Sequence, residues 1–199
     1  MEITSAVVGP MGNNAYLLTD AGEGLLIDAA DEAATLLALV GDTPVTRIVT
    51  THRHRDHVAA LAAVASHTGA RLVAGEPDAD AIAQAAGVTI DDRVWDGDTV
   101  RVGNVELEVV GLVGHTPGSV ALIHSPDEGH ATVFSGDSLF PGGPGQTLCP
   151  EDFQSLMTDL VTKVFDRFGD ETVIMPGHGL PTTLGNERPH LPGWWARGW

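Results

Sequence analysis

The feature that most constrains this chain is a run of six residues, His52 to His57, that contains three histidines and one aspartate. It follows the apolar segment 45–50, which has the composition of a buried strand. A polar side chain buried without a partner costs roughly 2–7 kcal/mol, so this run is poor core material. A bound metal ion would turn that cost into a favourable interaction. The run therefore predicts a metal site.

Length and charge limit the class of protein. A chain of 199 residues is expected to form one domain, residues 1–199, with a full hydrophobic core. Its net charge of −17 argues against nucleic acid and membrane surfaces as partners, because both attract basic patches. The sequence shows neither a secretory leader nor about 20 consecutive apolar residues, so we expect a cytoplasmic protein. The one cysteine, Cys149, excludes an internal disulfide and is interpreted as a small buried residue or a bystander.

Hydrophobic periodicity predicts an α+β fold. Apolar residues at helical spacing indicate helices over 31–40, 56–67, 77–86 and 151–168. Short β-rich runs divided by turn residues indicate strands at 2–8, 15–20, 24–28, 45–50, 71–73, 94–95, 99–102, 105–110, 120–124, 131–135 and 172–175. Each half of the chain has strands first and helices after. This order predicts two sheets packed face to face with helices outside, a four-layer αββα sandwich.

Three further ligand-type side chains occupy glycine-flanked turns at predicted strand ends, namely His115, Asp137 and His178. Glycine permits the sharp turns that let such side chains point into a shared site. Together with the histidine-rich run they give seven candidate metal ligands: His52, His54, Asp56, His57, His115, Asp137 and His178. The remaining histidines lack a glycine-flanked turn or a ligand neighbour and are interpreted as surface residues: His67, His124, His130 and His190.

In order and spacing, the motifs HRHRDH, GHTPGS, SGDSLF and PGHG resemble those of the metallo-β-lactamase-fold hydrolases. The resemblance extends over about residues 13–188 and is closest to the short, single-domain members of the glyoxalase II-like (hydroxyacylglutathione hydrolase) branch. It implies two divalent metal ions that share seven ligands: His52, His54 and His115 on one ion, Asp56, His57 and His178 on the other, and Asp137 as the bridge. Imidazole and carboxylate ligands suit Zn²⁺, our first choice, and also Fe²⁺ or Mn²⁺.

The resemblance also implies a reaction on a small acyl substrate. A hydroxide shared by two metal ions is a nucleophile at neutral pH, and Asp56 and Asp137 would position it to attack a thioester or related acyl ester. Asp28 ends a strand near the expected site, where it either orients a ligand histidine or closes a turn. In glyoxalase II-like enzymes, a basic residue near the position of Gln146 helps to hold the carboxylate of glutathione. Segment 140–147 has no cation, so another acyl thioester or ester is an equal candidate.

Several alternatives stay open at this stage. A mononuclear Fe²⁺ oxidoreductase resembling persulfide dioxygenase has the same fold and retains much of the motif. Lactonase or β-lactamase activity is less favoured, since two-zinc β-lactamases commonly place cysteine at the position of Asp137. A non-catalytic metal-binding or partner-binding domain is disfavoured by the complete ligand set. The tryptophan-rich segment 193–199 is either a substrate wall or homodimer contact, or a tail that docks on the chain's own surface.

Overall fold

The computed structural model describes residues 1–198, and the amino-terminal part of this chain forms a six-stranded sheet. In spatial order its strands are β1 (Glu2–Val8), β2 (Asn13–Asp20), β3 (Glu23–Ile27), β4 (Val45–Thr50), β5 (Arg71–Gly75) and β6 (Asp92–Val94). The first three strands pair antiparallel, and β3 to β6 pair parallel. The connections between β3 and β6 contain α1 (Ala33–Val40), α2 (Leu61–Thr68) and α3 (Ala79–Ala86).

The carboxy-terminal part forms a second six-stranded sheet. Its order is β7 (Thr99–Val102), β8 (Val105–Gly111), β9 (Val120–His124), β10 (Thr132–Gly136), β13 (Val173–Pro176) and β14 (Thr182–Thr183), with the hairpin β11 (Leu139–Phe140) and β12 (Gly143–Pro144) after β10. Only the β10–β13 pair within this sheet, as far as the structure describes it, is parallel. The remaining helices are α4 (Pro150–Asp159), α5 (Leu184–Glu187) and α6 (Leu191–Arg197).

Three hydrophobic clusters show how the layers pack. Between the sheets, Leu18, Leu107 and Phe134 belong to one cluster of buried side chains. A second cluster lies between the first sheet and helices α1 to α3, and a third lies between the second sheet and helices α4 and α6. Each sheet therefore buries both of its faces, one against the other sheet and one against helices. This arrangement confirms the predicted αββα sandwich.

The helix predicted over 56–67 is shorter than expected. The segment Arg55–His57 is a single 3₁₀ turn, and α2 begins only at Leu61. The intervening backbone is held by another part of the chain, because the N–H groups of Ala59 and Ala60 donate to the carbonyls of Ala30 and Ala29. A regular helix would require those N–H groups for its own hydrogen bonds. The non-helical stretch keeps Asp56 and His57 in the same loop as His52.

The helix predicted over 151–168 also differs in its second half. Helix α4 ends at Asp159, and Leu160–Phe165 continues as a π-helix, in which the Asp166 N–H donates to the carbonyl of Val161. The wider turn keeps Leu160, Val164 and Phe165 buried against the second sheet. Among the described residues, no helix has the length and apolarity needed to span a membrane.

The packing between the sheets predicts the effect of a cavity. Phe134 is 1% exposed, and its ring meets that of Tyr16 edge to face at 5.3 Å. Phe134→Ala should lower the free energy of unfolding by about 3–5 kcal/mol, because it removes an aromatic ring from a closed core. Chemical denaturation after metal chelation measures this value. Val7→Ala, at a 67% exposed position, is the control and should change it by less than about 0.5 kcal/mol. Equal effects of the two substitutions would contradict the inter-sheet packing.

Candidate metal centre

The seven predicted ligands meet where strands of the two sheets end. His52 follows β4, Asp137 follows β10, and His178 follows β13. His115 lies in the loop between β8 and β9, which reaches the same edge because β9 runs antiparallel to β10. The N–H of Val120 donates to the carbonyl of Thr51 at 2.9 Å and so joins the two sheets beside the site. The αββα packing thus brings together ligand loops that are far apart in sequence.

Among the described residues, three overlapping groups of side chains have metal-ligand geometry, and two of them share no residue. In the first, one nitrogen from each of His52, His54 and His115 lies within 4.8 Å of the others, and His52 Nε2 is 3.0 Å from His54 Nδ1. In the second, His178 Nε2 is 3.2 Å from His57 Nε2 and 3.3 Å from Asp56 Oδ2. Donor atoms this close together are typical of a site that a cation fills.

Asp137 lies between these two groups. Its Oδ2 is 3.6 Å from His115 Nε2 and 3.9 Å from His52 Nε2, both members of the first group. Its carboxylate is also 3.4 Å from the Nε2 atoms of His57 and His178, which belong to the second group. One carboxylate therefore faces both triads, as a bridging ligand must.

The outer nitrogens of three ligand histidines bind protein acceptors. His57 Nδ1 lies 2.8 Å from Asp28 Oδ2, His115 Nδ1 is 2.7 Å from the carbonyl of Gln146, and His178 Nδ1 is 3.1 Å from the carbonyl of Met11. When such a ring is neutral, the acceptor holds its proton on Nδ1, and the lone pair of Nε2 is then directed inward. Two carbonyls and one carboxylate thus fix the orientation of the three rings, as the outer partners of ligand histidines do in metal sites.

Asp28 links the ligand loop to the first sheet. It is 1% exposed and has a left-handed backbone with φ 57°. Besides the contact with His57, its carboxylate accepts hydrogen bonds from the N–H and the hydroxyl of Thr51, both at 2.8 Å. The Thr51 hydroxyl in turn lies 3.0 Å from His52 Nδ1. Asp28 therefore contacts one candidate ligand of each group, directly in the case of His57 and through Thr51 in the case of His52.

The rings and carboxylates of the cluster are strongly coupled through their charges. Burial favours the neutral ring of His57, but Asp28 and Asp137 outweigh it and raise the pKa of His57 to about 10. Burial and the neighbouring His57 ring hold the pKa of His52 well below its usual range. Burial also opposes ionisation of Asp137, yet the adjacent rings of His178 and His57 hold its pKa far below the ordinary value. The ionised carboxylate of Asp137 is therefore stabilised by positive charge beside it.

Unpaired buried atoms support the same conclusion. His115 Nε2 and Asp137 Oδ1 are buried and have no hydrogen-bond partner among the described residues. Such atoms cost free energy unless another group satisfies them. Both face the space between the two triads, and imidazole nitrogen and carboxylate oxygen are ligands that Zn²⁺, Fe²⁺ and Mn²⁺ accept. The donor set therefore fits divalent metal ions.

Two glycines permit the close approach of the ligand loops. A Cβ atom on Gly177 would overlap Oδ1 of Asp137 and would lie 2.8 Å from Cε1 of His57. A Cβ atom on Gly145 would overlap the carbonyl oxygen of Asp137 and would lie 3.3 Å from His115 Nδ1. The glycines of this site are therefore required for space as well as for turns.

Two polar residues that contact the ligand loops were not among the sequence-based candidates. Asn13 Nδ2 donates to Asp56 Oδ2 at 2.8 Å and so holds a ligand of the second group. Asp78 is fully buried and accepts hydrogen bonds from three groups of the two histidine loops: the N–H of Arg53, the hydroxyl of Thr116 and the N–H of Gly118. Asn13 lies two residues before the strand predicted at 15–20, which is a weak signal in itself. Asp78 resembles any aspartate at the start of a helix.

The remaining predicted residues lie away from the cluster or at its border. His67, His130 and His190 are exposed and His124 is partly buried; none belongs to a metal-binding group within the described chain. Cys149 is a free, partly buried residue at the start of α4. In the carboxy-terminal segment, Trp194 is buried with its ring centroid 6.2 Å from that of Phe165, so the tail docks on the chain's own surface. Trp199 lies outside the described residues.

Comparisons with known proteins agree with this geometry. The family model of the Metallo-beta-lactamase superfamily matches residues 8–178. A hydroxyacylglutathione hydrolase of Polaromonas sp. is 35% identical over 82% of this chain, which spans only 60% of that relative. Hydroxyacylglutathione hydrolase GloC of Haemophilus influenzae is 29% identical over 90% of this chain and 91% of its own length. The crystal structure of TTHA1623 in a di-iron-bound form is similar with a TM-score of 0.73 and 32% identity, covering 96% of this chain and all of that one (100%).

The crowding at Gly177 predicts the consequence of adding a methyl group. Gly177→Ala should displace the carboxylate of Asp137 or the ring of His57 and weaken metal binding by about tenfold or more. Competition with a chromogenic chelator measures the affinity, and circular dichroism checks the fold. Gly169→Ala is the matched control, because no atom lies within 4 Å of its added Cβ. Unchanged affinity in Gly177→Ala would contradict the site geometry.

The contact between Asp28 and His57 predicts a second effect on metal affinity. Asp28→Asn preserves the shape and tolerates the left-handed backbone, but removes the charge that faces His57 Nδ1. We expect metal affinity to fall by about 10–100-fold, the usual effect of losing such a partner. Asp42→Asn, at an exposed position, removes the same charge elsewhere and should leave the affinity unchanged. If the two variants bind metal equally well, Asp28 does not orient the site.

Proposed function

The chain belongs to the metallo-β-lactamase superfamily, and from that premise we propose that it is a dinuclear metal-dependent hydrolase of thioesters or related acyl esters. The observation that carries this proposal is the partly buried carboxylate of Asp137, which faces both histidine-containing triads at 3.4–3.9 Å. The hydroxyacylglutathione hydrolases among its relatives support the acyl substrate, and the similar di-iron structure supports two metal ions.

The ligand set divides between two ions in this proposal. One would be held by His52, His54 and His115, the other by Asp56, His57 and His178, with Asp137 shared. Zn²⁺ is our first choice, and Fe²⁺ and Mn²⁺ suit the same donors. When bound, the ions would supply water activated by a lowered pKa and would polarise the acyl carbonyl.

The carboxylates and their neighbours prepare the site for this chemistry. Burial opposes ionisation of Asp56, but the hydrogen bond from Asn13 and the nearby His57 ring hold its pKa below the ordinary value. Asp56 and Asp137 are therefore both acceptors at neutral pH and can orient a water molecule between the triads. Met11, Gln146 and Asp28 hold the rings of His178, His115 and His57, so the ligands need little rearrangement during the reaction.

A hydrolysis screen tests the class of substrate. Protein of known metal content is assayed against acyl thioesters, lactones, phosphodiesters and a β-lactam, and we expect turnover of a thioester with about two metal ions per chain. The same preparation is tested for oxygen consumption with a persulfide. One iron per chain together with persulfide oxidation would overturn the hydrolase assignment in favour of a mononuclear oxidoreductase.

The exposed ligand His54 offers a direct test of the proposed role of the metal centre. His54→Ala removes one donor of the first group and should lower kcat for thioester hydrolysis by at least about 100-fold. This loss should exceed the one caused by removing a hydrogen-bond partner of a ligand, such as Asp28. His67→Ala, an exposed histidine outside the cluster, is the control and should retain full activity. Metal content and thermal unfolding of each variant are measured in parallel. A folded His54→Ala variant with wild-type turnover would contradict catalysis at this centre.

A further inference from the structure

The two triads depend on different loops of the second sheet. The first takes His115 from the loop between β8 and β9, and the second takes His178 from the turn after β13. Their other ligands lie in the loop after β4 of the first sheet, so each triad forms only if a second-sheet loop is held against the first-sheet half of the chain. In each case one buried polar side chain makes that connection: Asp78 for the first triad and Asn14 for the second.

Asp78 joins the chain segments that carry the first triad. It is fully buried and directly precedes α3. Its Oδ2 accepts from the N–H of Arg53 at 3.1 Å and from the hydroxyl of Thr116 at 2.5 Å, while its Oδ1 accepts from the N–H of Gly118 at 3.0 Å. Arg53 lies between two ligands of the first triad, and Thr116 directly follows the third. One carboxylate therefore ties all three ligands of this triad together.

Glycines allow this close approach of the two loops. A Cβ atom on Gly118 would overlap the backbone nitrogen of Asp78 and would lie 2.7 Å from its Cβ. A Cβ atom on Gly75, at the end of β5, would overlap the carbonyl oxygen of Gly118. The backbones thus meet without intervening side chains, which places the short side chain of Asp78 within reach of both histidine loops.

Asn14 holds the turn that carries the ligand His178. It lies in β2 and is 6% exposed. Its Nδ2 donates to the carbonyls of Pro176 and Gly179, both at 2.9 Å, and its backbone N–H donates to the carbonyl of Gly177 at 2.7 Å. These acceptors lie on both sides of His178, and the two N–H groups of the amide are both used. One asparagine therefore fixes three of the four residues of this turn.

The hydrogen bonds of these two side chains reach separate ligands. Among the described residues, the carboxylate of Asp78 makes no hydrogen bond to the turn 176–179. The amide of Asn14 makes none to the loops that carry the first triad. Asp28 differs from both, because it contacts a candidate ligand of each group.

We propose that Asp78 and Asn14 are positioning residues that each act on one metal position, Asp78 on that of the first triad and Asn14 on that of the second. The proposal rests on the dinuclear centre proposed above. It adds that the two positions are held independently, so that either can lose its ion while the other keeps one.

Exchanging the two residue types in place tests this proposal at nearly constant shape. In Asp78→Asn, the new amide nitrogen must face an N–H donor, and in Asn14→Asp the carboxylate must face carbonyl oxygens. Asp78→Asn should weaken zinc binding at the first position by about 10–100-fold, and Asn14→Asp should do the same at the second. The other position should change by about twofold or less. Competition of metal-free protein with a chromogenic chelator measures affinity and the number of ions.

Nuclear magnetic resonance identifies the position that is lost. In protein labelled with ¹⁵N at histidine, a ring nitrogen that binds zinc is distinguished by its chemical shift from one that carries a proton. At zinc concentrations between the two affinities, Asp78→Asn should hold zinc only on the rings of His57 and His178. Asn14→Asp should hold it only on the three rings of the first triad.

Matched controls make the same exchanges at exposed positions. Asp42→Asn and Asn186→Asp should bind zinc like the wild-type protein. Circular dichroism checks the fold of each variant. Where an exchange prevents folding, a milder variant takes its place: Thr116→Val removes a donor to Asp78, and Tyr16→Phe removes the hydroxyl that donates to the carbonyl of Pro176 at 2.7 Å. Each should weaken the same position by a smaller factor.

Two results would overturn the independent roles of Asp78 and Asn14. One is weakening of both positions to the same extent by either exchange, as a general loss of packing would cause; the other is no change at either position. A wild-type chain that binds one ion would contradict the dinuclear centre instead. In that case only the exchange that belongs to the occupied position should weaken binding, and equal effects of the two exchanges would overturn the positioning roles as well.

Discussion

The carboxylate of Asp137, whose side chain is only 11% exposed, is the constraint on which the site depends. A carboxylate so largely removed from water is stable only beside positive charge. The neighbouring ring of His57 answers this requirement, because Asp28 and Asp137 raise its pKa to about 10, while the rings of His178 and His57 hold the pKa of Asp137 far below its ordinary value. Divalent ions bound here would displace protons from those rings, so metal binding would release protons.

The arrangement of side chains around Asp137 depends on the whole sandwich. The loops that carry the candidate ligands follow strands of different sheets, so their relative position depends on the contacts between the two sheets, which we call the seam. Two sets of contacts hold that seam at the site: the backbone hydrogen bond from Val120 to Thr51, and the carboxylate of Asp78, which accepts from Arg53 and Thr116. Neither set contains a metal ligand. The layers therefore position the ligands before any metal arrives.

Much of this site was predictable because its chemistry is local in sequence. The run from His52 to His57 has no plausible role in a core, and the glycine-flanked turns indicate where the other donors lie. Hydrophobic periodicity predicted the layers correctly. It did not predict the end of α4 at Asp159, because the π-helical segment after it keeps apolar residues at nearly the spacing of an α-helix. Asp78 was missed for a different reason: its partners are 25 to 40 residues away, and only the fold brings them together.

The position of Arg197 shows how far local charge can depart from net charge. A chain with a charge of −17 is a poor attractor of anions at long range. At physiological ionic strength, however, exposed charges are screened beyond roughly 8 Å, so distant carboxylates contribute little inside a given cavity. In the cavity lined by Arg197 and segment 144–147, the field is set by the nearby groups, which include the guanidinium of Arg197 and, beyond Gln146, a centre that fits divalent cations. The acidic surface therefore does not exclude an anionic substrate.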